Sequence, residues 1–342
     1  MWRIPTRLRP ALAIHFTTRF AIFFTVSWTF LSLLLRLDPV TVTAAGFLIT
    51  VISIALEWLA GPYLIVTLLN PRWTGRENDT NLWSLVESEA DKAGVKVRRI
   101  GILNMEAPNA LIIASVSGHP SILFTKGLLS SLHYSEVRVV TANMMGAVKS
   151  GFLSAVTTLS GLLTLSHRIA GGYIESCVTG KKKNIFQMIL AAIGYLLFVL
   201  TVPQSVMASR PMTLYEDEHG ITQTSDPSSL LTALLKVATG TAGAASGPSR
   251  ILFTPVKGLM FLDPTIALRD SAGLEKAAQS YGIDTKRLLG HDEKGYERRV
   301  VIEFHMFERF WSQPNLIDRF RRVVSFGKGV KFPIKVGLAW IE

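Results

Sequence analysis

The chain has 342 residues, a formal net charge of +11 at pH 7 and a mean hydropathy of +0.33. It is too apolar for an ordinary soluble protein and long enough for a membrane part plus a sizeable soluble domain. Cys177 is the only cysteine, which excludes an intrachain disulfide and a zinc site built from several cysteines. The positive charge is typical of basic membrane proteins, and no module of basic and aromatic residues for nucleic acid is visible. We therefore expect membrane lipids as partners and no nucleic acid.

The first two apolar segments predict a transmembrane hairpin over residues 1–70. Segments 11–35 and 40–69 are each long enough to cross about 30 Å of hydrocarbon, and a short turn joins them. Basic residues before the first and after the second place both ends of the hairpin in the cytoplasm. Arg19 and Glu57 reach similar depths, so they either form an intramembrane pair or extend separately to their own interfaces.

Residues 71–150 predict the first half of a soluble domain. Helical spacing over 81–93 places Leu82, Leu85, Val86 and Ala90 on one face, and the stretch 95–102 alternates like a half-buried strand. Two more strands are expected, one at Pro108-Asn109-Ala110 and one that ends before Gly127. On their own, these two strands are an ordinary hairpin with a turn at 118–121.

Residues 151–208 contain the third and fourth apolar segments, 151–169 and 184–208. If both span, the lysine run 181–183 lies on the outer side, against the positive-inside tendency. The alternative is that the third segment is partly buried against the soluble domain.

Residues 209–327 predict the second half of the soluble domain. Asp226 or Ser225 is a plausible N-cap for the helix that follows. The Gly-, Ala- and Ser-rich stretch 238–250 predicts a mobile linker, and 270–289 an amphipathic helix. Residues 328–342 form a basic, strand-like tail.

The run Thr141 to Lys149 resembles the catalytic helix of the HtpX-like membrane zinc metalloproteases, the relatives of the CAAX prenyl protease. In that family an acidic and apolar lead-in precedes His-Glu-x-x-His, and a transmembrane helix follows almost at once. The five matching positions here read Asn143, Met144, Met145, Gly146 and Ala147.

Other family positions occur in the same order and spacing. The family's third zinc ligand, a glutamate, is replaced by Thr213, and a histidine of its last signature is replaced by Gln313. The matching positions that are retained are Pro108, Asn109, Gly127, Ser209, Arg210, Asp217, Pro314 and Arg319.

The resemblance implies an α+β fold, in which a zincin-like soluble domain is fused to a helical membrane domain of two to four transmembrane helices. It also implies a small sheet whose edge strand holds an extended substrate by strand addition. In the family motif two histidines at i and i+4 hold zinc and the glutamate polarises the bound water. None of these functions is available to Asn143, Met144, Ala147 or Thr213. The resemblance therefore implies a pseudoprotease with no catalytic residue, no metal site and no cofactor.

Three functions stay open at this point. The first is a structural or regulatory subunit in the cell membrane that binds another integral membrane protein, with its soluble domain in the cytoplasm. The Met144-Met145 pair then either lines a binding cleft or fills the space that the metal site vacated. The second is an active zinc-dependent metalloendopeptidase in membrane-protein quality control, with unusual ligands at 216–219 or 303–305. The third is binding of anionic lipid headgroups by the lysine run and the basic tail.

Overall fold

The computed structural model describes residues 6–35, 38–178, 185–244, 254–283, 285 and 313–327. The fold is mostly helical, with one small mixed sheet. The helices are α1 (Arg9–Leu35), α2 (Pro39–Leu69), α3 (Thr80–Ala93), α4 (Lys126–Ser131), α5 (Tyr134–Ser150), α6 (Leu153–Val178), α7 (Ile185–Thr224), α8 (Pro227–Ala244), α9 (Pro264–Ser280) and α10 (Leu316–Gly327). The strands are β1 (Arg72–Thr74), β2 (Arg99–Leu103), β3 (Ala110–Ile113) and β4 (Ser121–Thr125).

Three helices in the described part of the chain are long and apolar enough to cross a membrane, at Arg9–Leu33, Pro39–Leu69 and Gln187–Thr224. The first two coincide with the apolar segments of the expected hairpin, and the chain is a membrane protein. The third expected segment qualifies only when α5 and the first part of α6 are taken as one span bent by 95°. Most of that part of α6 is buried, and its Thr157 hydroxyl accepts a hydrogen bond from the Ala114 backbone of the soluble domain at 3.0 Å.

Helices α2 and α6 cross at two glycines. A Cβ added at Gly161 would overlap the Cα of Gly61, and one added at Gly61 would lie 3.1 Å from the Cα of Thr158. The two backbones therefore touch, as small residues allow in membrane helix packing. This contact holds α6 against the transmembrane hairpin at the same time as Thr157 holds it against the soluble domain.

The four strands are ordered β1-β2-β4-β3. β2 and β4 run parallel, with Ile102 opposite Phe124, whereas β1 and β3 are antiparallel edge strands. All residues of β3 and β4, and all of β2 after Arg99, are buried. Consecutive strand residues point to opposite faces, so both faces of this part of the sheet are covered. The sequence predicted alternating burial over 95–102; the strand instead begins at Arg99 and is buried on both faces.

Helix α3 confirms the predicted helix, because Leu82, Leu85, Val86 and Ala90 are all buried. Asp226 caps α8, since its carboxylate accepts a hydrogen bond from the Ser229 backbone at 3.0 Å.

The linker predicted over 238–250 is wrong for its first seven residues, because α8 continues to Ala244. Thr241 donates a hydrogen bond to the Pro108 carbonyl at 2.9 Å, and Gly240 lies directly against the Pro108 ring. Small residues are therefore used here for close packing rather than for mobility.

The predicted helix 270–289 begins earlier, at Pro264, because the Asp263 side chain accepts a hydrogen bond from the Thr265 backbone and Pro264 suits the first helical position. It ends at Ser280. The lysine run 181–183, the cluster 303–305 and the tail 328–342 lie outside the described residues.

Candidate functional site

Helix α5, which carries the run Thr141 to Lys149 that resembles the family's catalytic helix, is buried on every side from Val139 to Val148. Its first turn is fixed by Glu136, whose carboxylate accepts hydrogen bonds from the His133 backbone and from Lys236 of α8, each at 2.8 Å. A carboxylate in the first turn also suits the positive end of the helix dipole. α5 is thus a central element of the soluble core.

Asn143, Asp217 and Arg319 form a buried polar cluster between α5, α7 and α10. The Asn143 amide donates to Asp217 Oδ1 at 3.0 Å. Arg319 donates to both Asp217 oxygens, at 2.9 and 2.8 Å, so the ion pair is bidentate. None of the three side chains is more than 1% exposed. We call this set the Asn143–Asp217–Arg319 cluster.

The Arg319 guanidinium is satisfied beyond its contact with Asp217. Its Nη1 donates to the Phe261 carbonyl at 3.1 Å and to Gln313 Oε1 at 3.2 Å, and the guanidinium lies 5.7 Å from the centre of the Phe261 ring. Burial by itself lowers the pKa of Arg319, but the charge and hydrogen bonds of Asp217, with the charge of Glu216, outweigh burial and raise that pKa above its ordinary value. Arg319 is therefore a permanent cation inside the core.

The positions that would hold zinc by resemblance do not offer a suitable set of donors. The Asn143 amide is committed to Asp217, and Thr213 donates its hydroxyl to the Ser209 carbonyl at 3.0 Å. Ala147 has no donor atom, and Met144 is fully buried. Within the described residues, no group of three or more His, Cys, Asp or Glu side chains is arranged to hold a metal ion. These residues do not fit a zinc ion.

Helices α5 and α7 also lie too close together for a ligand between them at this level. A Cβ added at Gly146 would lie 2.8 Å from the Cα of Glu216 and 2.9 Å from the Cβ of His219. A Cβ added at Gly220 would lie 3.2 Å from the backbone of Asn143. The two helices are thus in direct backbone contact at Asn143 and Gly146, two of the five positions that match the family motif.

The retained positions support this packing in different ways. Asn109 lies at the start of β3, and its side chain bonds both the backbone nitrogen and the carbonyl of Leu262. Gly127 has no room for a Cβ, because the Glu106 carbonyl occupies that place. Pro108 contacts α8, as described above. Ser209 is buried on α7, Arg210 is half-buried on the same helix, and Pro314 is half-buried just before α10.

The acidic cluster 216–219 is divided by the fold. Glu216 and Asp217 are buried, whereas Glu218 and His219 are only half-buried. Asp217 belongs to the polar cluster, and Glu218 lies 3.6 Å from Arg322 of α10. The four side chains do not converge on one point.

A second buried ion pair lies in the transmembrane hairpin. Arg19 of α1 donates to Glu57 of α2, and the Arg19 guanidinium lies 5.5 Å from the centre of the Phe23 ring. His15, one turn before Arg19, is 1% exposed, and neither of its ring nitrogens has a hydrogen-bond partner. This pair is separate from the Asn143–Asp217–Arg319 cluster.

Comparison with known proteins supports the resemblance to the HtpX-like family. The chain is 27% identical over 179 residues to a protein named Protease HtpX homolog from Tropheryma whipplei, in an alignment that covers 51% of this chain and 62% of that protein. It is 26% identical over 208 residues to the homologue from Aeropyrum pernix, covering 57% and 64% of the two chains. It is 23% identical over 236 residues to the homologue from Methanothermobacter thermautotrophicus, covering 69% and 86%. The chain is similar to the HtpX-like proteases over half of its length or more.

This similarity is consistent with the architecture of the structure. The helical membrane part and the small mixed sheet are those of an α+β, zincin-like soluble domain fused to a helical membrane domain. No family model matches the chain. No solved structure matches it either. The alignment with the Tropheryma whipplei relative spans 62% of that protein's length.

Sequence reasoning identified Asn143, Asp217 and Arg319 separately, as one degenerate and two retained positions, but not their mutual contact. It also noted Gln313 only as a replaced histidine. The structure places the Gln313 amide between Met260 and Asp263, where it donates to the Met260 carbonyl at 2.5 Å and accepts from the Asp263 backbone at 2.9 Å. No pattern in the sequence indicates these bonds, because they are made to backbone atoms about 50 residues away.

Proposed function

We propose that this HtpX-like membrane protein is a catalytically inactive pseudoprotease that acts as a structural or regulatory subunit and binds another integral membrane protein. The observation that carries the proposal is the Asn143–Asp217–Arg319 cluster. A residue at the first position of the former motif has become part of a buried ion-pair network, so its side chain serves folding rather than catalysis.

Peptide hydrolysis by a zincin needs an ion that activates water and a base that takes its proton. In this chain the amide of Asn143 has no proton-accepting role at neutral pH, and the thioether of Met144 is only a weak hydrogen-bond acceptor. The direct contact of α5 with α7 leaves no room there for a water molecule and a scissile peptide. The residues of the former site thus hold three helices together.

Proposed partners are integral membrane proteins and lipids, because α1 and α2 expose large apolar side chains along their length, among them Phe30, Phe47, Leu56 and Tyr63. Bilayer lipid or another membrane protein has to cover such surfaces. We propose that the soluble domain lies in the cytoplasm, on the basis of the arginines that flank the hairpin.

Metal content is the first test. We expect the protein, purified in mild detergent without chelators, to contain less than about a tenth of a zinc ion per chain by elemental analysis, and not to cleave unfolded casein with added zinc. Cys177→Ser is the matched control, because a thiolate is a metal ligand and could hold zinc outside the former site.

About one zinc per chain that survives Cys177→Ser would overturn the proposal. The alternative, an active metalloendopeptidase with unusual ligands, would then be supported if Glu216→Gln or His219→Ala removed both the zinc and the cleavage. The partner is tested by photo-crosslinking from α2 in native membranes. A discrete crosslinked protein is expected, and crosslinks to lipid alone would contradict the subunit role.

A further inference from the structure

The outer edge of β3 is occupied by the chain's own residues. β3 pairs with β4 on one side, and as an edge strand its other side would present free backbone groups to an added strand. The Phe261 backbone donates to the Ala110 carbonyl at 2.8 Å, and Leu111 forms an antiparallel bridge with Met260. The segment Met260–Leu262 therefore lies where an extended peptide would add to this sheet.

Asn109 extends this pairing by one residue through its side chain. Its amide donates to the Leu262 carbonyl at 2.7 Å and accepts from the Leu262 backbone nitrogen at 3.3 Å. It thereby supplies the pair of bonds that a strand partner would make. The segment is fully buried at the edge of β3, since none of Met260, Phe261 and Leu262 is more than 1% exposed.

The opposite side of the segment is held by α10 and the residue that precedes it. Gln313 bonds the Met260 carbonyl and the Asp263 backbone nitrogen, and Arg319 bonds the Phe261 carbonyl at 3.1 Å. Arg319 is bonded to Asp217, and Asp217 is bonded to Asn143 of α5. A chain of hydrogen bonds therefore connects the segment to the former motif helix. We call Gln313 and Arg319 the clamp.

We propose that Met260–Leu262 is a built-in occupant of the β3 edge, which excludes any other extended polypeptide from that edge until the clamp releases it. The ligand class is an unfolded or extended chain with apolar side chains, which would replace the backbone bonds made by Phe261 and pack where Met260 and Leu262 now lie. The proposal concerns binding, and it stands whether or not the protein lacks zinc.

The test uses the full chain in lipid nanodiscs, with Cys177→Ala as background. Leu111→Cys and Met260→Cys are bridge partners, and opposed residues of an antiparallel pair lie within disulfide range. Oxidation locks the occupant on the edge, whereas reduction leaves it held only by the clamp and able to open, so one preparation supplies both states. Gln313→Ala loosens the clamp. Gln279→Ala is the matched control, because Gln279 is exposed and its side-chain amide donates to the Thr285 hydroxyl at 2.9 Å.

Two quantities are measured, namely hydrogen exchange over 260–262 and binding of fluorescent, reduced and carboxymethylated α-lactalbumin by anisotropy. We expect Gln313→Ala to speed exchange by about tenfold and to strengthen binding by a similar factor, because it removes two hydrogen bonds to buried backbone. The variant with Leu111→Cys and Met260→Cys should bind α-lactalbumin when reduced and not when oxidised. Gln279→Ala should have the same exchange and binding as the Cys177→Ala background.

Equal binding by the oxidised and reduced forms would overturn the proposal, because the edge would then not be the binding surface. Faster exchange in Gln313→Ala without a gain in binding would overturn it as well, and so would unchanged exchange. If Gln313→Ala fails to fold, the comparison of oxidised and reduced protein still decides, since the intact clamp opens transiently in the reduced form, which should bind weakly, and the disulfide prevents that opening in the oxidised form.

Discussion

The protein contains two buried arginine–carboxylate pairs, and they differ in how completely they are bonded. Arg319 and Asp217 in the soluble core share two bonds with each other and gain three more, from Asn143, the Phe261 carbonyl and Gln313. Arg19 and Glu57 in the transmembrane hairpin share one bond, and Arg19 Nη1 has no hydrogen-bond partner.

The difference shows what a buried ion pair needs. Removing two charges from water costs more than their attraction returns unless other hydrogen bonds satisfy the remaining donors and acceptors. The Arg319–Asp217 pair meets that condition, although Asn143 Oδ1 beside it is buried without a hydrogen-bond partner, so we assign the cluster a structural role. The hairpin pair does not, and ionisable groups inside a membrane are costly enough to suggest a functional role.

The comparison is tested most severely by Arg319→Met. The substitution keeps much of the side-chain volume but leaves Asp217 charged and buried, so we expect a loss of about 3–5 kcal/mol in the free energy of unfolding. Thermal and denaturant unfolding in detergent measure it. Arg321→Met, at an exposed arginine of the same helix whose nearest carboxylate is 3.8 Å away, should change stability by less than about 1 kcal/mol.

The double variant Arg319→Met with Asp217→Leu separates loss of the ion pair from loss of shape. If burial of an unpaired charge is the main cost, the double variant should be more stable than Arg319→Met alone. Equal destabilisation in Arg319→Met and in the double variant would contradict the view that this cluster is held by its charges.

The sequence predicted those parts of the fold that depend on local pattern. Helix α3 followed from the spacing of Leu82, Leu85, Val86 and Ala90, and α1 and α2 from their apolar length. The resemblance located Asn143, Asp217 and Arg319 individually. The contacts that join them span 74 and 102 residues, and no local pattern carries information over such distances.

Composition misled where small residues serve packing. Residues 238–244 look like a linker because they are rich in Gly, Ala and Thr, yet in α8 the same residues allow close approach to Pro108. The sequence also could not predict that Met260–Leu262 pairs with the edge of β3, because these bonds are mostly between backbone atoms, which every residue possesses.

In the hairpin, Arg19→Met should lower the free energy of unfolding by about 2–3 kcal/mol, which is less than the loss expected for Arg319→Met. Arg19 lies ten residues into α1 and Glu57 twelve residues before the end of α2, about 15 and 18 Å along their helices, so the unpaired Glu57 would face the middle of the membrane. Steric-trap unfolding in bicelles measures the effect. Combining Arg19→Met with Glu57→Met should recover most of the loss, and additive losses would show that the two side chains act independently.

The helix crossing that connects the two regions is tested by Gly161→Ala. The new Cβ would overlap Gly61, so α2 and α6 must separate, at a cost of about 1–3 kcal/mol. Gly75→Ala is the matched control, because a Cβ there meets only one side-chain atom at 3.7 Å. A variant as stable as the control would mean that α6 is not seated against the hairpin.

The smallest expected effect comes from Asp226→Ala, which removes the N-cap of α8, the helix whose Lys236 anchors α5. The loss of the cap should cost about 1 kcal/mol near neutral pH. Burial by itself raises the pKa of Asp226, but hydrogen bonds from Ser229 and Ser228 and the charge of Arg138 outweigh burial and lower that pKa below its ordinary value.

The lowered pKa of Asp226 determines how the difference in stability between wild type and Asp226→Ala depends on pH. A carboxyl group whose folded pKa is depressed contributes its full stability above the unfolded value of 3.8 and loses it as the pH falls through the folded value. The difference in melting temperature should therefore be constant from about pH 5 to 8 and shrink below the unfolded pKa. Ser228→Ala, which removes one of the lesser bonds to the same carboxylate, should give a smaller difference of the same sign. A difference that grew on acidification would mean that Asp226 is protonated in the folded protein and caps α8 as a neutral group.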